Sequence, residues 1–438
     1  MHVVVAGAGL AGVVAARHLA EAGHEVQVFE ERESVGGRVR STPQDGYIFD
    51  RGFQALFTAY PAVRRELDLD ALELGYFTPG ATLAAPGHRS TFSDPLRDPG
   101  AAVDTLLNPD VGIGDPIRLF RLQRDLKRRA LADLLAADED RTIHEYLADA
   151  GFSRGFVERF AAPFYGGITL DRSLETSATV FEATFKMLSE GGIALPADGM
   201  AAIPEHLAAR ARSAGAAIET GREVRAVGSY REGVELEVGG ETVDADAAVV
   251  ATDPHTAEDL TGVSTPDGGT GCVTLHCSLP AHKSLDTGTR ILLNSDSDRP
   301  NTVAPSSAVQ PSYAPAGRQL LVATFLGSEA RSASGETSGE RSDPRVHRDA
   351  EDEALAEEVR SALASWYPET TFDALQVERV DRVDFAQFPQ PPGFRAGLPA
   401  VDEPEDRVYL AGDYTRWSSI QGALESGRVA ARAAMADL

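Results

Sequence analysis

Apolar and polar positions along this chain follow two rhythms, and the strand rhythm comes first. Residues 3–5 are consecutive valines, the pattern of a strand buried on both faces. Residues 10–22 carry helix-forming Ala and Leu, and Gly23-His24 closes that helix. Residues 25–30 then alternate around Val26 and Val28 as a second strand. The buried-strand signature returns at 246–252 and at 408–411, each followed by a polar turn. Helical spacing governs 116–137, 152–188, 199–214, 354–366 and 420–435, with a break expected at the Pro-Phe-Tyr-Gly-Gly of 163–167. Residues 217–220, 223–227 and 234–238 alternate as strands, and 377–385 adds another. Residues 268–327 alternate strand and turn, as an antiparallel sheet does. Residues 60–110, rich in Pro and Gly, predict a change of domain. Residues 328–352 hold Ser, Gly and charge with almost no apolar residue, which predicts a flexible acidic insert.

The first strand–helix–strand unit carries chemistry. Gly7, Gly9 and Gly12 fall at its strand-to-helix turn. The first permits the tight turn, the second lets a pyrophosphate approach the backbone, and the third lets helix and strand pack closely. Free N–H groups at the helix start, around Leu10 and Ala11, face the phosphate. Glu30 ends the second strand eighteen residues after Gly12, where a carboxylate can bind ribose hydroxyls. Gly36-Gly37-Arg38 follows, a glycine turn with a guanidinium suited to phosphate, although a surface ion pair is the ordinary alternative for Arg38. At the far end, Gly412-Asp413 closes the last strand. There glycine lets a cofactor lie against the backbone, and Asp413 accepts hydrogen bonds from hydroxyls.

GAGLAG with VFEERESVGGR, and YLAGDYTRWSSIQGALESGRVAA some 400 residues later, resemble the FAD-binding motifs of the flavin amine oxidase and phytoene desaturase superfamily, which includes protoporphyrinogen oxidase-like enzymes. The resemblance covers 1–60, 163–255 and 380–435 well and the substrate sheet poorly. It implies an α/β fold: a Rossmann-like FAD-binding domain (GR2 type, of p-hydroxybenzoate hydroxylase-like and amine oxidase architecture) plus a mixed α+β substrate domain with an antiparallel sheet and helices. The cofactor domain is expected at 1–75, 195–256 and 395–438, and the substrate domain at 76–194 and 257–394. Glu30 then holds the adenosine ribose, Gly37 and Arg38 lie along the cofactor, and the backbone of Val224 meets the adenine. Asp413 takes the ribityl chain. The helix start at Ile420 and Gln421 offers positive charge to the flavin's N1 and C2 carbonyl side, which makes FAD a better hydride acceptor. The 388–394 loop (Phe-Pro-Gln-Pro-Pro-Gly-Phe) borders the active site in this reading.

Composition changes the picture in three ways. A length of 438 residues is too long for one ordinary core. A net charge of −26, from 41 basic and 67 acidic residues, repels nucleic acid. With Lys127, Lys186 and Lys283 the only lysines, that balance also fits adaptation to high salt, to be tested by melting in dilute buffer against molar salt. Cys272 and Cys277, five apart on one expected strand, take opposite faces and suit a reducing compartment. The ten histidines show no metal-ligand spacing, so no metal is expected. A strand at the very start and the lack of a long apolar run predict a cytoplasmic protein without a signal peptide. Helix 116–137 has an apolar face of Leu119, Leu122, Leu126 and Leu134 and a basic face of Arg118, Arg121, Arg124, Lys127, Arg128 and Arg129. That basic face reads either as a peripheral membrane contact or as a solvated face paired with local carboxylates.

The reaction the resemblance implies is two-electron oxidation of a small-molecule substrate, in which hydride leaves a C–H bond for flavin N5. The favoured substrate is an apolar isoprenoid, as in the desaturases, since the expected strand 271–279 lacks the lysine many amine oxidases carry. Amine oxidation and protoporphyrinogen oxidation remain alternatives, as does a flavin-holding protein without turnover. Asp50 and Gln54 are candidates for cofactor or substrate contact, equally explained by turn chemistry. Phe156, Phe160, Phe164, Tyr165, Phe181 and Phe185 read either as cavity wall or as helical core, core being the safer assignment. No residue presents itself as a general base.

Overall fold

The valine run of the first strand becomes the middle of a sheet. The computed structural model describes residues 1–136, 140–230, 233–283, 285–327, 344–404 and 406–437. In it His2–Ala6 pairs in parallel with Glu25–Glu30 and with Ala247–Val250, and Ala217–Thr220 and Val408–Leu410 extend the two sides. This five-stranded parallel sheet thus draws its strands from three separated stretches of chain. Helices α1 (Leu10–Glu21), α2 (Asp115–Lys127), α3 (Ala178–Glu190), α4 (Ala202–Ser213) and α5 (Ile420–Asp437) supply much of the packing. Alternate valines take opposite faces of the first strand. Val3 and Val5 pack with α1, α4 and α5, while Val4 and Ala6 pack against a small antiparallel sheet of Val224–Tyr230, Gly233–Val238 and Glu241–Ala245.

A seven-stranded sheet forms the second centre, ordered Gln376–Gln387, Thr270–Pro280, Arg318–Leu326, Thr302–Ala304, Ile291–Asn294, Ala81–Ala85 and His88–Phe92. The expected antiparallel sheet is corrected at one pair, because Ile291–Asn294 runs parallel to Ala81–Ala85. These two strands lie far apart in sequence, so no hairpin fixes their direction. One face of the sheet joins the helices through Leu83, Phe92, Leu293 and Leu320, and the other packs under the helix Pro344–Trp366 through Val359, Leu363 and Trp366. Cys277 lies in that second layer, while Cys272 points to the opposite side, as the odd spacing predicts. Both are free, and burial pushes both thiols up to about 12.

Three helical expectations are corrected. The helical run does not stop at Pro163: Arg154–Phe156, a wide turn at Val157–Ala161 and Ala162–Thr169 form one rod. Proline needs no N–H partner in the turn that follows a widened one, so the break comes at Leu170 instead, at φ 56°. The basic helix ends at Lys127, and a short Leu131–Leu135 helix follows, so that Leu126 and Leu134 are both buried. Of the expected insert, 328–343 lie outside the described residues, and from Pro344 the chain is helical. Among its described residues Asp352 meets Arg382 at 2.6 Å, and just beyond it Glu353 meets Arg360 at 2.9 Å. Phe156, Phe160, Phe164, Tyr165, Phe181 and Phe185 follow one another with ring centroids 4.6–5.9 Å apart and belong to the core, Phe164 and Phe185 at its edge.

One buried ion cluster ties α1 to the helix Pro61–Glu66. Glu66, fully buried, lies 3.1 Å from Arg17 Nη1 and 3.2 Å from His18 Nε2. Burial pushes its carboxyl up, but His18, Arg17 and Arg65 together hold it below the usual glutamate value. Glu66→Ala should therefore cost about 3 kcal/mol by denaturant titration at neutral pH, since buried Arg17 keeps only the half-exposed Glu21. A lowered carboxylate pKa stabilises above its unfolded value and loses that contribution as pH falls through the folded one. Parent and variant should therefore converge in stability in acid.

Candidate active site

A cavity of about 680 Å³ lies where the parallel sheet meets the seven-stranded sheet. Its first wall is the glycine turn, with Gly7, Gly9, Leu10 and Ala11. Gly9 begins α1 without a side-chain cap, so the first N–H groups of the helix have no side-chain acceptor there. A Cβ built on Gly9 meets no atom within 4 Å and would project into open space. At Gly12 a Cβ would instead overlap the Gly7 carbonyl oxygen and come within 3.0 Å of Ala251 Cβ. Gly12 therefore does not line the cavity; it sets the distance between helix and strand.

Glu30 lines the cavity and is buried. Its Oε2 accepts the Ala8 N–H at 2.7 Å and its Oε1 the Arg32 N–H at 3.1 Å, which fixes the carboxylate without neutralising it. Gly37, Arg38 and Val224 join this wall. Arg38 makes no ordinary surface ion pair. Its Nη2 donates to buried Asp413 Oδ1 at 2.5 Å, its Nη1 to the Ala386 carbonyl at 3.0 Å, and the guanidinium lies 5.6 Å from the Phe385 ring centre. Asp413 Oδ2 also accepts from the Ser418 hydroxyl at 2.9 Å. Gly412 and Ile420 complete the set that the structure gathers here.

Gln421 is a correction. Its side chain turns away from the cavity, and its Oε1 accepts the Ala62 N–H at 2.8 Å, supplying an acceptor to the start of the helix Pro61–Glu66. Asp50 also faces elsewhere, held by Ser41 at 2.6 Å, the Met200 N–H at 2.9 Å and Tyr313 at 2.7 Å. Burial raises its carboxyl above the usual range despite those bonds. Gln54 does line the cavity. Its amide donates to the carbonyls of Arg38 and Arg51, and its Oε1 is buried with no partner among the described residues. Gln387 and Gln390 bring the proline loop to the rim.

The remaining wall is apolar and escaped the sequence reading. Phe53, Phe57, Tyr60 and Trp417 line it, Phe57 stacking on Tyr60 at 5.4 Å and Tyr60 meeting Trp417 edge to face at 5.9 Å, and Ile168, Leu170 and Val180 line it with them. No motif marks them, since they come from unrelated turns and helices. Leu170 alone carries a signal in the structure, a bulky residue at positive φ. Among the described residues lining the cavity none is lysine or histidine. Burial raises the Tyr60 phenol, which stays neutral. Among the described residues, no cluster of His, Cys, Asp and Glu could hold a metal, and no helix is long and apolar enough to cross a membrane.

An uncapped helix start, open space at Gly9, a fixed carboxylate at Glu30 and an unpaired amide oxygen at Gln54 fit a dinucleotide with a polar ring edge. Fold and site define a dinucleotide-binding protein of the kind that holds FAD. The family described as flavin containing amine oxidoreductase matches residues 10–435, and the chain belongs to it. A phytoene dehydrogenase of Streptomyces griseus is 30% identical over 302 residues, 61% of this chain and 54% of the relative. The chain spans about half the length of the curated relatives it matches. Solved structures share the fold along the whole chain. An oxidoreductase of Methanosarcina mazei has a TM-score of 0.71 at 18% identity, covering 98% of this chain and 99% of that one. Cyclohexylamine oxidase of Brevibacterium oxydans IH-35A has 0.66 at 18%, covering 100% and 99%.

Proposed function

We propose that this chain is a phytoene desaturase-like dehydrogenase, taking hydride from a C–H bond of an apolar isoprenoid. The observation that carries the reading is the apolar wall of Phe53, Phe57, Tyr60, Ile168, Val180 and Trp417, without lysine or histidine among the described lining residues. The similarity to phytoene dehydrogenase supports the same substrate class. The division at 1–75, 195–256 and 395–438 against 76–194 and 257–394 belongs to this reading.

Bound in the cavity, FAD supplies the two-electron acceptor. Glu30 accepts from the ribose hydroxyls, the N–H groups at Leu10 and Ala11 and the Arg38 guanidinium meet the pyrophosphate, and Asp413 accepts from the ribityl chain. The start of α5 at Ile420 directs partial positive charge toward the flavin ring. The aromatic wall excludes water and orients the substrate by shape. FAD would share this cavity of about 680 Å³ with the reacting segment of a long polyene.

The test is anaerobic mixing of FAD-loaded protein, kept in molar salt, with phytoene-like polyenes, protoporphyrinogen and primary amines. Bleaching of the flavin by polyenes alone is the expected result. Bleaching by amines or protoporphyrinogen alone moves the chain to those activities, and a flavin that none of them reduces leaves a flavin-holding protein without turnover.

A further inference from the structure

Among the described residues, seven of the ten most exposed large apolar side chains fall between residues 96 and 120: Leu96, Val103, Leu106, Leu107, Ile113, Ile117 and Phe120. Ile113 is 89% exposed and Leu107 76%. Single exposed apolar residues are ordinary, but such a concentration on one short stretch marks a contact surface.

α2 shows what kind of contact. Its inward face, Pro116, Leu119, Leu122 and Leu126, packs on the protein, so the apolar demand of an amphipathic helix is already met. Its outward stripe is nevertheless apolar at the start, with Ile113, Ile117 and Phe120, and basic further on, with Arg121, Arg124, Lys127 and Arg128. Those four cations have no ion pair among the described residues, whereas Arg118 pairs with Asp115 and Arg129 with Glu182. The solvated-face alternative asks for local carboxylates that the described residues do not bring. Residues 113–129 hold six basic residues against two acidic ones in a chain whose net charge is −26.

We propose that this face docks on an anionic lipid bilayer, Ile117 and Phe120 entering the headgroup layer and Arg121, Arg124, Lys127 and Arg128 meeting lipid phosphates. Charge complementarity selects this occupant. The acidic bulk of the protein is repelled by such a membrane, so the basic stripe is where approach is favourable and it sets the orientation. α3 separates this face from the cavity: Lys186 Nζ donates to the Lys127 carbonyl at 3.4 Å, while Val180 and Thr184 of the same helix line the cavity. The proposal does not depend on which substrate the cavity takes.

The experiment is flotation of the FAD-loaded full chain with vesicles of equal parts phosphatidylglycerol and phosphatidylcholine, against phosphatidylcholine alone, at the lowest salt that keeps it folded. The parent should float with the anionic vesicles only. Ile117→Asn/Phe120→Asn should cut the bound fraction by about fivefold or more, and Arg121→Gln/Arg124→Gln should weaken binding and flatten its salt dependence, both with unchanged FAD content. Hydrogen exchange of 103–127 should slow when anionic vesicles are added to the parent. No flotation with anionic vesicles, or equal flotation of the Asn variant, overturns the proposal. So does concentration-dependent self-association that the Asn variant abolishes, which would give the face to a second copy.

Discussion

Glu30→Ala should leave purification with little bound FAD and bind added FAD about 100-fold more weakly than the parent, a loss of about 3 kcal/mol for two charge-assisted hydrogen bonds to the ribose. The carboxylate is already oriented by the Ala8 and Arg32 N–H groups, so binding requires little rearrangement of it. Alanine removes the acceptor from the ribose and from both amides, which then turn to water in the open cavity. Glu30→Gln keeps one acceptor oxygen and should lose only about tenfold. Titration calorimetry with FAD measures both. Equal affinity in parent and Glu30→Ala would remove Glu30 from the cofactor site.

Gly12→Val should damage the fold rather than the affinity. The added Cβ overlaps the Gly7 carbonyl oxygen and crowds Ala251, and these atoms are backbone and strand with nowhere to move. Separating α1 from the central strand costs about 3 kcal/mol or more, which in a chain of this length lowers the melting temperature by about 3 °C or more. Gly9→Ala is the contrast. Its methyl meets open space in the protein alone, so melting without cofactor should change little, yet it intrudes where the pyrophosphate would lie and should weaken FAD binding. Melting curves with and without FAD separate the two effects. Identical behaviour of the two variants would contradict the different tasks assigned to these glycines.

The cofactor half was legible because its requirements are local. A valine run, three glycines and a carboxylate at fixed spacing describe one strand, one turn and one helix start, and the parallel sheet follows from them. The substrate half was not, because its walls are assembled by packing. Phe53, Tyr60, Val180 and Trp417 meet only after helices and sheets have docked, and no spacing in the sequence records that. The aromatic run from Phe156 to Phe185 pointed to a cavity or a core, and the structure uses it as core. Gln421 misled because a helix start offers backbone N–H groups on one side and side chains on several. Its amide oxygen accepts the Ala62 N–H instead.

Arg38 and Asp413 stand 375 residues apart and meet directly, and the first strand lies between partners of which one, Ala247–Val250, is made long after it. Synthesis therefore delivers the glycine turn 375 residues before its counterpart. Until then α1 has no α5 to cover it, and the apolar edge of the strand His2–Ala6 has no Ala247–Val250 to pair with, the kind of unpaired edge that invites aggregation. Both halves of the proposed FAD site exist only once the later segment has been made, so the cofactor would find its full set of partners after that segment has folded.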